Sequence, residues 1–181
     1  MSLPVRIIFT FIVVILIQVV LLNHIAIRSS INILGIPVFT PLIYPLGLLL
    51  LPVNIPHWLL MLFGFITGLV MDMFCNTPGM HAAACVLLCF IRPYLLALFF
   101  QQSIKELGST TPNLFKMGFN SFILYVSMAI LVHHFSYYLL QIWSLKNILI
   151  ILFKTILSGV LSLLLILLGQ LLFGQREIHR S

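Results

Sequence analysis

The residues that could do chemistry in this chain gather in Gly64-Phe65-Ile66-Thr67-Gly68-Leu69-Val70-Met71-Asp72 and in Cys75-Asn76-Thr77-Pro78-Gly79-Met80-His81-Ala82-Ala83-Ala84. Asp72 is the only acidic residue within a hydrophobic segment. A carboxylate in an apolar span costs about 2.5 to 3.5 kcal/mol at a helix centre on insertion scales, and less near an interface, so it faces protein or water and not lipid. Residues four apart share a helix face, which places Gly64, Gly68 and Asp72 on one stripe where a neighbouring backbone can approach. With Asp72 alone, acid-base chemistry by paired carboxylates is excluded; Glu106 and Glu177 fall at the ends of apolar segments. HExxH, GxSxG and phosphate-binding glycine loops are absent from the sequence. Asp72 with His81 is therefore read as a hydrogen-bonded structural clasp, with no catalytic residue, no cofactor-binding residue and no metal ligand assigned.

The elements that must position these residues follow from composition. Of 181 residues, 62% are hydrophobic and 7% charged, and the mean hydropathy is +1.23. So few polar side chains cannot cover a soluble globule, and the expectation is an all-α, polytopic membrane protein forming a single integral membrane domain over 1–181. Nine Lys and Arg stand against three Asp and Glu. No basic face with interleaved aromatics accompanies that excess, so it reads as an orientation signal and nucleic acid is not expected as a partner. Cys75, Cys85 and Cys89 are odd in number and form no zinc or disulfide spacing, so they read as small residues packing between helices.

A bilayer needs about 20 apolar residues per helix, which divides the chain into six spans: 7–23, 38–52, 57–74, 81–101, 117–140 and 147–173. The first is read as a retained helix and not a cleaved leader, since its apolar run is long and no small-x-small site follows. The second carries Pro41, Pro45 and Pro52, and is expected to start nearer Ile33 or to be broken. Arg6, Lys105, Lys116, Arg176 and Arg180 fall on one side of these spans and Arg28 and Lys146 on the other. The positive-inside bias then puts both termini in the cytoplasm. Lys154 is expected to snorkel to the outer interface, Tyr137, Tyr138 and Trp143 to anchor there, and Asn23, His24 and Arg28 to form a solvated rim.

This arrangement turns the third span into the fourth at Pro78-Gly79. With Thr77 as the turning point, Asp72 lies level with about residue 82, and His81 is its nearest titratable neighbour. Arg92 lies about 15 Å deeper at 1.5 Å per residue, beyond reach of a direct ion pair with Asp72, and reads as a buried cation met by carbonyls and hydroxyls. His81, Cys85, Cys89 and Arg92 line one face of the fourth span and are the natural partner of the glycine stripe. Ser158 and Ser162 make a small-x-x-x-small pattern that implies close packing. His133 and His134 point about 100° apart on a helix, do not converge on one metal, and read as interfacial.

At Gly68-Leu69-Val70-Met71-Asp72, and at Pro78-Gly79 followed by Ala82 and Ala83, the chain resembles the bacterial rod-shape-determining membrane protein MreD family. The likeness covers about twenty residues and extends to size, span count and the proline-punctuated second span. It implies a non-enzymatic scaffold of the cell-wall elongation machinery in the bacterial inner membrane. The implied partners are the periplasmic scaffold MreC, the filament MreB, a RodA-type polymerase and a penicillin-binding transpeptidase. Gly68, Asp72, Pro78, Gly79 and Ala82 carry the family pattern. With Gly64, His81 and Arg92 they make up the expected helix-packing or partner-binding set. The rival expectation is a small-molecule, vitamin-like substrate-binding component of an energy-coupling-factor-type transporter, which also has about six helices and a glycine-rich third-to-fourth hairpin.

Overall fold

Long apolar runs become helices in lipid because a helix satisfies every backbone group within its own segment. The computed structural model describes residues 3–23, 32–33, 36–37, 40–100 and 111–173. In chain order these form α1 (Leu3–Ile17), running on into a π-helical turn at Gln18–Leu22, and a two-residue antiparallel ladder of β1 (Asn32–Ile33) with β2 (Ile36–Pro37). Then come α2 (Pro45–Leu49), α3 (His57–Cys75), α4 (Met80–Phe99), α5 (Leu114–Met117) and α6 (Phe119–Ile142). A 3-10 turn at Leu145–Asn147 leads into α7 (Ile148–Phe173).

Among the described residues four helical stretches, three of them α3, α4 and α6 and the fourth Leu145–Leu172, are long and apolar enough to cross a membrane; Phe9–Leu22 is a shorter apolar helix. Apart from the small ladder, the described residues form an all-helical membrane protein. The expected spans 57–74, 81–101, 117–140 and 147–173 match α3, α4, α6 and α7 within two residues at each end. Helix α4 packs against both α3 and α6, and α7 packs against α6. His24, Arg28, Lys105, Glu106, Arg176, Glu177 and Arg180 lie outside the described residues, as does the side chain of Arg6.

Residues 38–52 are not a continuous helix. Backbone 40–43 is irregular and α2 spans five residues. Proline explains both limits: Pro45 sits in the first turn of α2, where no N–H is needed, and the helix stops ahead of Pro52, which disfavours helical geometry in the residue before it. Pro41, Leu42, Tyr44 to Leu49 and Leu51 are nevertheless buried. Tyr44 lies against His81, and Leu51 against Arg92. The segment therefore descends along eleven residues of α4, about 16 Å at 1.5 Å per residue, wrapped in protein.

Candidate functional site

Asp72 joins the end of α3 to the start of α4. Its Oδ1 accepts from the hydroxyl of Thr77 at 2.9 Å and from the backbone N–H of His81 at 2.9 Å, and its Oδ2 accepts from the N–H of Ala82 at 3.0 Å. Those two N–H groups belong to the first turn of α4, which has no intrahelical acceptor for them. The residue before α4 is Gly79, which has no side chain to cap with, so the carboxylate is supplied from the preceding helix. A negative group is also favoured at the positive end of a helix. The turn needs two left-handed residues, Asn76 at φ 54° and Gly79 at φ 79°, a region Asn tolerates and glycine enters freely. The clasp expected between Asp72 and His81 exists, but through the backbone of His81. The imidazole points elsewhere.

The glycine stripe is consumed within the chain. A Cβ on Gly68 would stand 2.3 Å from Cα of Ala82 and 2.6 Å from the carbonyl oxygen of His81, and one on Gly64 would stand 2.7 Å from Sγ of Cys89. Backbone meets backbone here, the close approach that small residues permit in apolar surroundings. Of the two roles expected for the Gly64, Gly68 and Asp72 face, this is the locking of α3 to α4. Pro78 is exposed in the turn.

A non-helical segment inside an apolar bundle has backbone groups that nothing local satisfies. Here side chains from distant helices serve them. Ser158 and Ser162 of α7 accept the N–H groups of Thr40 at 3.3 Å and Leu42 at 2.9 Å. Gln18 accepts the N–H of Ile43 at 2.8 Å and donates to the carbonyl of Pro41 at 3.0 Å. At the other end, Arg92 donates through Nη2 to the carbonyls of Leu51 and Leu49, the latter at 3.2 Å. The hydroxyl of Tyr125 also donates to Leu49, at 3.2 Å. Arg92, 1% exposed, thus caps the free carbonyls at the end of α2, the carbonyl contact expected of it, and it makes no bond to Asp72 among the described residues.

Between these ends lies Tyr44. Its hydroxyl is 2.9 Å from Nδ1 of His81, 2.7 Å from Nε2 of His133 and 3.6 Å from Sγ of Cys85. Comparison with protein-family models, curated proteins and solved structures finds no match. The site is therefore read from its own geometry. Among the described residues no three His, Cys, Asp or Glu side chains converge as metal ligands; the cysteines are free, with Cys85 and Cys89 buried and Cys75 half-buried.

Several residues expected at the interface are inside. His133 and His134 are both fully buried because each has an interior partner: His133 bonds Tyr44, while His134 uses Nδ1 on the carbonyl of Ile130 at 3.0 Å and Nε2 on Ser162 at 3.1 Å. Their rings diverge, with centroids 5.6 Å apart and planes at 73°. Tyr138 is buried against Thr40 and Ser158, and Tyr137 stacks on His81 at 4.4 Å. Lys154 does not snorkel outward; it is buried, with its ammonium 6.0 Å from the ring centre of Tyr138. Asn23 is half-buried, donating to Sγ of Cys75 at 3.2 Å and accepting from Gln18 at 3.1 Å. Trp143 is 79% exposed. Sequence reasoning missed Gln18 and Tyr44, marked Tyr125 only as a weak polar point of its span, and gave Ser158 and Ser162 only a packing role. The available signal was a scatter of polar residues through helices otherwise apolar, opposite one segment rich in proline.

Proposed function

We propose that this chain is a non-enzymatic scaffold of the cell-wall elongation machinery in the bacterial cytoplasmic membrane. In this reading it crosses the membrane six times, with the broken segment as the second pass and both termini in the cytoplasm. It binds the transmembrane helix of an MreC-type periplasmic scaffold, in a complex with MreB, a RodA-type polymerase and a penicillin-binding transpeptidase. The observation that carries the reading is the direction of the polar groups. Gln18, Asp72, Arg92, Ser158 and Ser162 all turn inward onto the chain's own backbone, so the outward helix faces are largely apolar. Between α3 and α4 that surface forms a groove of about 550 Å³, with Gly79 and Ala82 in its lining and Phe65, Leu69, Leu87 and Phe90 around them. Small residues beside large apolar ones suit close approach of a single helix in lipid. The sequence motif around Gly68, Asp72 and Pro78-Gly79 points the same way.

The test is co-expression with an MreC-type protein and affinity capture in mild detergent. The wild-type chain should retain the partner. Ala83→Trp, which fills the groove from an exposed position, should lose it while keeping the wild-type elution profile. Failure of the wild-type chain to capture the partner overturns the reading. The vitamin-like substrate-binding reading is favoured by one feature: non-helical backbone buried at membrane depth commonly accompanies a substrate path. It requires a small molecule that stays with the purified chain, which mass spectrometry of an extract would find.

A further inference from the structure

The turn between α6 and α7 carries a backbone strain that no internal hydrogen bond or ring contact offsets. Trp143 closes α6 in the left-handed region, at φ 46° and ψ 37°, with its N–H on the carbonyl of Leu139 at 2.9 Å. Helices commonly give that position to glycine or asparagine, and a bulky side chain there is strained. Among the described residues the other positive φ angles belong to Asn76, Gly79 and Gly118, types that enter the region at little cost. The indole of Trp143 stands out from the bundle, with no hydrogen bond or ring partner among the described residues. A strained residue kept at an exposed position points to something outside the chain.

Its neighbours share that exposure. Leu145 and Leu149 are, like Trp143, more than three-quarters exposed, and with Met73 these are the four most exposed large apolar side chains among the described residues. Three of the four therefore stand on one turn at the end of the bundle. Ser144 is extended, and the 3-10 turn Leu145–Asn147, closed by the N–H of Asn147 on the carbonyl of Ser144 at 3.1 Å, presents Lys146 with them. Lys146 is exposed and makes no hydrogen bond or ion pair among the described residues. Asp72, the acid nearest in kind, is engaged at the other hairpin by Thr77, His81 and Ala82. Helix stability does not account for the lysine either, since it stands at the start of α7, the end where a cation is disfavoured.

We propose that the α6–α7 turn is a binding surface for an anionic phospholipid, with Trp143, Leu145 and Leu149 seated at the acyl boundary and Lys146 on the headgroup phosphate. The charge pattern selects this occupant. An apolar foot enters the bilayer edge whatever the lipid, but its one unpaired cation is neutralised only by a headgroup with net negative charge. A zwitterionic headgroup carries its own ammonium beside the phosphate and gains less from Lys146. The indole, apolar in body and with one N–H, suits the headgroup level that the left-handed turn brings it to. This surface is separate from the α3–α4 groove and does not rest on the cell-wall reading.

The experiment is tryptophan quenching on the full chain in liposomes of phosphatidylcholine with a minority of phosphatidylglycerol. Trp58→Phe leaves Trp143 as the one tryptophan. Lipid composition is held fixed, and the same amount of bromine label is carried on the acyl chains of either phosphatidylglycerol or phosphatidylcholine. One lysine at an anionic surface enriches its lipid by about fivefold at most, so brominated phosphatidylglycerol should quench Trp143 at least about twofold more than brominated phosphatidylcholine. Lys146→Gln, an exposed replacement that leaves the elution profile unchanged, should bring the two to parity. In detergent without anionic lipid, Trp143→Gly should melt about 2 to 4 °C above the wild type, because glycine enters the left-handed region freely. Equal quenching by the two lipids before Lys146 is changed overturns the proposal, and so does a preference that survives Lys146→Gln. A Trp143→Gly chain no more stable than the wild type shows that the turn bears no strain and counts against it as well.

Discussion

Removing the carboxylate of Asp72 is the sharpest perturbation of the α3–α4 hairpin. Asp72→Ala strips the acceptor from two buried backbone N–H groups, those of His81 and Ala82, and from the hydroxyl of Thr77. Thr77 is half-buried beside the turn and can turn to water, so its loss is small. Each N–H left without an acceptor costs about 1 to 3 kcal/mol, giving about 2 to 6 kcal/mol for the pair. Asp72→Asn keeps one accepting oxygen but faces an NH₂ toward a donor, so about half that cost is expected. At about tenfold per 1.4 kcal/mol, opening of the first turn of α4 should become at least about 25-fold more frequent in Asp72→Ala. Amide exchange on the full chain in nanodiscs measures this directly: peptides starting at Met80 should lose protection, Asp72→Asn less than Asp72→Ala, with α6 unaffected. If Asp72→Ala leaves the start of α4 within about threefold of wild type, the carboxylate is not capping that helix and the argument fails.

Other sites follow the same logic. Gly68→Ala places a methyl group 2.3 Å from Cα of Ala82 and should destabilise the protein by about 1 to 3 kcal/mol through helix separation, seen as a lower melting temperature in detergent. At Gly79 a Cβ meets nothing within 4 Å and only the positive φ resists it, so Gly79→Ala should cost about 1 kcal/mol and leave α3–α4 cross-linking distances unchanged. Arg92→Leu abandons the carbonyl of Leu51 and should cost about 1 to 3 kcal/mol. Because Tyr125 serves the same Leu49 carbonyl, a double-mutant cycle of Arg92→Leu with Tyr125→Phe should show coupling of at least about 0.5 kcal/mol, and additivity would count against a shared cap. Ser162→Ala removes the acceptor of the Leu42 N–H and a partner of His134. Exchange at Leu42 should quicken while Ser158→Ala acts mainly at Thr40.

The extents of α3, α4, α6 and α7 were legible because helix formation in lipid depends on a local quantity, the length of an apolar run. So was the pairing of Gly64, Gly68 and Asp72 with the next helix, since a tight turn at Pro78-Gly79 fixes which residues stand level. The same local geometry separated Arg92 from Asp72. What stayed hidden was every contact made by residues 40–51. Nothing near Thr40, Leu42 or Leu49 in the sequence indicates that Ser158, Ser162, Arg92 and Tyr125 receive their backbone groups, because the partners lie 43 to 120 positions away. His133, His134, Tyr137 and Tyr138 read as interfacial for a related reason: polarity alone points outward until a buried backbone or hydroxyl offers a partner.

Composition and apolar runs by themselves determined that this chain lies in a membrane, where its long helices run, and that Asp72 turns away from lipid. Tertiary structure alone decided that the proline-rich second segment travels inside the bundle, and which side chains hold it there. A helix closes its own hydrogen bonds within four residues, whereas a broken segment must borrow them from whatever the fold brings alongside.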